Sequence, residues 1–229
     1  MRHMLMMLVL ASPLPASAAV LDCAGSVAPE LAYPDGGGTW RGKEITLCRD
    51  VAKALGEAMR FTPLWQDGLG QDGQLQDGDV PARADLLFAP AADIPPGFVV
   101  GPVIYDDAQM LMVPAGSPVR HAADLAGAEI CVQPGTPEEF ALRAYFTAHH
   151  IPLHEFAFQE PDEMHDAYVA GRCDAITARR SLLIGLRGNE TGARAADVIL
   201  PDVLASHPVN VASRPALAGL VRKTLGDEP

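Results

Sequence analysis

With 229 residues, 48% of them hydrophobic and 20% charged, the chain can bury either one large core or two lobes of about a hundred residues each. Its 29 acidic against 17 basic side chains leave a net charge of −12. That balance argues against nucleic acid, or an anionic membrane, held through a broad basic surface.

The chain opens like an export signal. In "MRHMLMMLVLASPLPASAA", Arg2 and His3 precede an apolar run over 4–11, and Ala16-Ser17-Ala18 supplies the small residues of a cleavage site, so residues 1–18 are expected to be removed on export. The run is too short to span a bilayer. Four cysteines, Cys23, Cys48, Cys131 and Cys173, make an even set in a chain expected to be exported, which favours two disulfides over free thiols. None of their spacings is a CxxC metal pattern, and three pairings are open.

In chain order, "AVLDCAG" reads as a first strand and "PELAYPDGGGTWRG" as loop or turn. From Glu44, the apolar residues Ile45, Leu47, Cys48, Val51, Ala52, Leu55 and Met59 recur at three- and four-residue steps, which predicts a helix with one buried face. "RFTPLW" follows as a strand, "DGLGQDGQLQDGD" as an acidic surface segment, and "ADLLFAPA" as a buried parallel strand. Two apolar runs flank Asp106-Asp107. "DLAGAEICVQPGTPEEFALRAYFTAHHI" is strand, turn and helix, "LHEFAF" a strand, "PDEMHDAYVAGR" a helix and "CDAITA" a strand. "DVILPDVLASHPVNVAS" is extended, and a last helix covers 215–225. Alternating strands and helices predict an α/β fold with largely parallel sheets.

The strongest local signal is "VQPGTPEEFALRAYF". Pro134 and Gly135 turn the chain, Thr136 is placed as N-cap, Pro137 suits the first helical position and Glu139 completes a capping box. A helix start offers unpaired N–H groups and a positive dipole end to a carboxylate or phosphate. Glu139 is a competitor for the same donors. "HHIPLH" brings His149, His150 and His154 close to Asp162, Glu163 and His165, but surface histidines in a helix-to-strand loop are the commoner case, and no metal or cofactor is assigned. The chain has no G-x-S-x-G, HExxH or P-loop and no identifiable acid–base pair, so it is not expected to be an enzyme.

Three stretches, "GTWRGKEITLCRDVAKAL", "DLAGAEICVQPGTPEEFALRAYF" and "AYVAGRCDAITARRSLL", together resemble the periplasmic polar amino acid-binding proteins of ABC transporters. The resemblance is strongest to the general L-amino-acid group of solute-binding protein family 3. It covers about 21–208, and the chain reads as a shortened, divergent member. It implies a two-lobed periplasmic binding protein fold (type II) with two hinge-strand crossings, near 105–112 and 204–209. The first lobe would be 19–107 with 206–229 returning to it, and the second 108–205. Proximity in that fold favours pairing Cys23 with Cys48 and Cys131 with Cys173. Such a protein closes on a small solute, works with an ABC transporter permease in the periplasm, and is expected to be a monomer.

Ligand recognition in that family is physical: a cation holds the solute's carboxylate and an acid its ammonium. The family's first-lobe Arg, expected after the strand in "ADLLFAPA", has no counterpart here, since 84–119 contains no Lys or Arg. Its second-lobe acid falls on Arg179. Two readings follow. Either Arg179 or its neighbour Arg180 clamps an anion beside Gly135 and Thr136, giving a cleft for a small anionic or amino acid-like solute, including a keto acid or dicarboxylate. Or both arginines face solvent or cap the next helix, and the chain is a ligand-less scaffold serving another periplasmic protein. Tyr33, Trp40, Phe88 and Tyr105 are the candidate aromatic walls, with core packing the competing role for Phe88 and Trp40. Asp174 resembles a structural position.

Overall fold

A computed structural model describes residues 19–64, 83–189 and 192–226. The expected signal segment, Trp65 and the acidic stretch "DGLGQDGQLQDGD" lie outside the described residues.

Two five-stranded sheets organise the molecule. The first has the order β4-β1-β5-β12-β6, built from β1 (Val20–Ser26), β4 (Ala58–Leu64), β5 (Leu86–Ala89), β6 (Val99–Asp106) and β12 (Pro208–Ser213). β1 runs parallel to β4 and β5, while β12 enters antiparallel between β5 and β6. The second has the order β11-β7-β10-β8-β9, from β7 (Gln109–Val113), β8 (Glu129–Val132), β9 (His154–Ala157), β10 (Ala175–Arg179) and β11 (Val198–Ile199). The parallel pairs are those expected of strand–helix–strand units. The antiparallel ones are where the chain passes between sheets.

The helix predicted from Glu44 is α1 (Lys43–Leu55), which buries Ile45, Leu47, Cys48, Val51 and Ala52 against β1 and β4. Met59, counted on that face from its spacing, lies instead in β4, because Gly56 takes a left-handed conformation and ends the helix. The Gly/Pro-rich stretch before α1, expected as loop, carries a small antiparallel ladder of β2 (Tyr33–Pro34) and β3 (Trp40–Arg41). Gly42 joins it to α1 at φ 118°, and a Cβ there would collide with the Leu31 carbonyl. In the second lobe, α2 (Pro137–Ala148) and α3 (Pro161–Val169) pack on the sheet, and α4 (Arg180–Asn189) begins directly where β10 ends. The last helix splits into a short 3-10 turn at Pro215–Leu217 and α5 (Ala218–Leu225).

Each sheet has its own apolar core: Leu21, Ile45, Val51, Leu86, Phe88 and Val211 fill the first, and Leu111, Ile130, Leu142 and Phe146 are among those filling the second. Each core is also crosslinked. Cys23–Cys48 ties β1 to α1, and Cys131–Cys173 ties β8 to the turn before β10. Between the sheets the chain crosses twice, and the two crossings hold each other. Asp107 N–H donates to His207 C=O at 3.0 Å, Gln109 N–H to Ala205 C=O at 2.8 Å, and Leu204 N–H to Gln109 C=O at 2.9 Å. The Asp106 carboxylate accepts from Ser206 Oγ and His207 N–H, locking the second crossing to the first. Two lobes on paired hinge strands are the type II arrangement, suited to closure about the crossings.

Candidate functional site

The turn at Pro134-Gly135 works as read from the sequence: Gly135 takes φ 77°, and Thr136 caps α2 by accepting from Glu139 N–H at 3.2 Å. The capping box is not closed as expected. The Glu139 carboxylate reaches one residue further back and accepts from Gly135 N–H at 2.8 Å, while Thr136 Oγ1 donates to Gln133 C=O. Glu139 is itself held by Arg143 at 2.7 Å, and Arg143 makes a two-oxygen contact with Glu155. At this turn Gly135 N–H is therefore taken by the chain's own acid and Glu139 N–H by the Thr136 hydroxyl.

Arg179 ends β10 with a third of its side chain exposed, and its Nε donates to Glu138 Oε1 at 3.1 Å. Glu138 is fixed from the other side, since the fully buried Gln109 on β7 donates from Nε2 to the Glu138 carbonyl at 2.8 Å and to Thr177 Oγ1 at 3.0 Å. His207, on the second crossing, faces this pair. Its imidazole is pushed below its ordinary pKa first by burial and then by the Arg179 guanidinium, with Glu138, Asp107 and Asp106 opposing.

Arg180 is the first residue of α4, and its backbone N–H donates to Ala108 C=O. Its guanidinium turns towards the other lobe, where Nη2 lies 3.6 Å from Glu30 Oε2. The same oxygen accepts from the Tyr105 hydroxyl at 3.2 Å, and Lys43 Nζ stands 4.4 Å from the centroid of the Tyr105 ring. Burial, with Asp107, Glu30 and the hydrogen bond to Glu30 also contributing, pushes the Tyr105 phenol far up, so it stays a neutral donor. The lobes also approach where a Cβ on Gly185 of α4 would meet Pro29 Cγ at 3.0 Å.

Beneath this junction sit two more acids. Asp107 is buried and caps α4, accepting Ser181 N–H at 2.8 Å and Ser181 Oγ at 2.7 Å. Glu44, in the first turn of α1, is 1% exposed, and neither of its oxygens has a hydrogen-bond partner among the described residues. Its carboxyl occupies the space over Gly25 that a side chain there would fill. Burial, reinforced by the facing Asp107 charge, raises its pKa well above the ordinary range.

The remaining candidate residues are spread out. Tyr33 on β2 is 38% exposed, Trp40 packs on Phe61 with centroids 5.0 Å apart, and Phe88 is 1% exposed in the first-lobe core. His149 stacks on Tyr145, and His154 lies 3.9 Å from Glu129. Among the described residues no group of three or more His, Cys, Asp or Glu side chains is placed to hold a metal. Asp174 accepts from Glu129 N–H at 2.9 Å, tying two strand ends together. Glu30, Lys43, Glu44, Asp107 and Glu138 did not stand out in the sequence. The one cue for Glu30 would have been conformational: it takes φ 66°, rare for a residue with a Cβ.

No family model matches the chain. Among curated proteins, the general L-amino acid-binding periplasmic protein AapJ of Rhizobium johnstonii is 33% identical over 188 residues, 80% of this chain and 54% of its own. The glutamate/glutamine/aspartate/asparagine-binding protein BztA of Rhodobacter capsulatus is 32% identical over 184 residues, 78% of this chain and 53% of its own. The chain spans about half the length of the curated relatives it matches. A Brucella ovis ABC transporter periplasmic binding protein, solved with glutathione bound, superposes with a TM-score of 0.65 at 30% identity, over 89% of this chain and 66% of that one. The second substrate-binding domain of an amino acid ABC transporter from Streptococcus pneumoniae superposes with a TM-score of 0.68 over 90% of this chain and 92% of that one; at 17% identity it supports the fold alone. By its sequence blocks, its disulfide-crosslinked lobes and its paired hinge strands, the chain belongs to the amino-acid-binding periplasmic proteins of ABC transporters, solute-binding protein family 3.

Proposed function

We propose that the chain is a periplasmic solute-binding protein that closes two lobes, 19–107 with 206–229 and 108–205, on a small carboxylate-bearing solute and presents it to an ABC transporter permease. The solute is amino acid-like, a keto acid or a dicarboxylate. The protein acts as a monomer and by closure, with no chemical step. The observation that carries this reading is the meeting of Glu30 from one lobe and Arg180 from the other on Tyr105, beside the hinge. Such a contact exists only while the lobes are together, so a solute that engages it selects the closed state. In this reading, Arg179, with Thr136 and Gly135, borders the second-lobe side, and Tyr33, Trp40 and Tyr105 belong to the first-lobe side, while Phe88 stays in the core.

The test is a thermal-shift screen of the exported chain against amino acids, keto acids, dicarboxylates and glutathione, the last because the Brucella ovis neighbour holds it. A solute at a hundred times its Kd adds about 2.7 kcal/mol, which for a chain of this size raises Tm by roughly 5–10 °C. No shift from any of these compounds at millimolar concentration overturns the proposal.

A further inference from the structure

The junction of the lobes gathers charges around one aromatic ring, that of Tyr105. Lys43, from the first turn of α1, lies against the Tyr105 ring, and its ammonium makes no ion pair among the described residues. Arg180 comes from the second lobe. Glu30 is the acid that contacts both Tyr105 and Arg180, while Asp107, whose charge also reaches Tyr105, is already engaged by Ser181 at the start of α4. The Glu30 contact with Arg180 is long, 3.6 Å against about 2.7–2.9 Å for a charge-assisted hydrogen bond. A guanidinium with five donors meets one carboxylate oxygen here at arm's length.

Glu30 reaches this place at a conformational cost. It stands in the left-handed region at φ 66°, which is strained for a residue with a side chain. The surroundings impose that backbone: the Glu30 carbonyl accepts Lys43 N–H at 2.9 Å, and the Leu31 carbonyl accepts Glu44 N–H at 3.1 Å, so the loop caps the start of α1. The result points a half-exposed carboxylate at the Tyr105 hydroxyl and at Arg180 of the other lobe, with Lys43 on the face of the same ring.

We infer that Glu30 is an internal counter-ion occupying the carboxylate position of the closed cleft, and that an incoming solute carboxylate displaces it and is held between Lys43 and Arg180. This rests on the solute-binding reading above and adds to it the residues that do the holding. Lys43 then supplies the first-lobe cation that 84–119 lacks. Because Glu30 competes with the solute, the apparent affinity is lowered by the fraction of molecules in which the internal pair is made. Tyr105 OH, released by Glu30, is left as a neutral donor for the solute oxygen.

The test is calorimetric titration at low salt with succinate, 2-oxoglutarate and glutamate as probes, using wild type, Glu30→Gln, Lys43→Gln and Arg180→Gln. Glu30→Gly is the second variant at that position, since glycine accepts the left-handed backbone without strain. Circular dichroism confirms that each variant is folded. Expected are a probe that binds both Glu30 variants at least 10-fold more tightly than wild type, and a loss of at least 10-fold in Lys43→Gln and in Arg180→Gln. A probe that binds wild type but is not strengthened by either Glu30 substitution, or is indifferent to Lys43→Gln, overturns the inference and leaves the solute-binding reading standing. Absence of binding by every probe to wild type and to both Glu30 variants overturns the inference as well. If the wider thermal-shift screen is also silent, the solute-binding reading falls with it.

Discussion

Around the start of α2, in the second lobe, charged groups are satisfied close to home: Glu139 by Gly135 and Arg143, Arg143 by Glu155, Arg179 by Glu138. At the first-lobe side of the boundary they are not, although Arg41–Asp35 and Arg60–Asp22 pair locally elsewhere in that lobe. Lys43 rests on an aromatic face, Glu44 is buried with both oxygens unbonded, and Glu30 finds its partners in Tyr105 and across the lobe boundary. The contrast separates two uses of charge. A charge paired within its own element network holds the fold, and its removal is felt locally. A charge left over in one lobe needs the other lobe, a proton or a solute to complete it.

The crosslinks, one per lobe, have the greatest hold on each core. Removing either disulfide by a paired Cys→Ala change is expected to cost about 2–5 kcal/mol. The loss should be larger by ~0.5 kcal/mol for Cys131–Cys173, which closes 42 residues against 25 for Cys23–Cys48. Denaturant titrations of the two double mutants measure this. Equal stability with and without a crosslink would show that the lobe cores do not depend on it.

Next in size is the hinge acid. Asp107→Ala strands the Ser181 N–H and hydroxyl in a buried position and should cost about 2–3 kcal/mol, while Asp107→Asn, which keeps an acceptor, should recover more than half of that. Indistinguishable unfolding curves for the two variants would remove Asp107 from the role of α4 cap.

Glu44 sharpens the contrast through pH. Its folded carboxyl titrates well above 4.5, so at low pH both folded and unfolded chains carry its proton and no penalty is present. Above about pH 4.5 the unfolded chain ionises first, and folded stability falls until the folded group ionises too. Relative to Glu44→Gln, wild type should lose roughly 1 kcal/mol for each pH unit in that window. Parallel stability profiles of the two proteins as the pH rises past about 4.5 would contradict an unpartnered buried acid. The smallest expected effect is at Arg179: a pair this accessible to solvent contributes little, and Arg179→Ala should change stability by less than about 1 kcal/mol in a thermal melt.

Much of the architecture was legible beforehand. The periodicity of Ile45, Cys48, Val51 and Ala52 gave α1 its buried face, and the short apolar run "ADLLFAPA" gave β5, parallel to β1 as expected. The disulfide partners implied by the family resemblance are the ones formed. Less was legible at the lobe boundary. Thr136 was readable as a cap because capping is local, but the acid reaching Gly135 instead of Thr136 was a matter of loop geometry. The twin arginines could be named, yet nothing in "TARRSLL" says that Arg179 turns to Glu138 while Arg180 turns to Glu30.

Most elements and their order could be read from patterns repeated within a few residues, and the kinship and the cysteine pairing from whole blocks of similarity. Which charges meet is settled only once the chain is folded. Glu30 lies in a Pro- and Gly-rich loop without periodicity, and its partners Tyr105 and Arg180 come from remote parts of the chain that the two hinge strands bring together. Electrostatic partnership depends on distance in space and on what is left dry. Neither quantity is written in the local order of side chains.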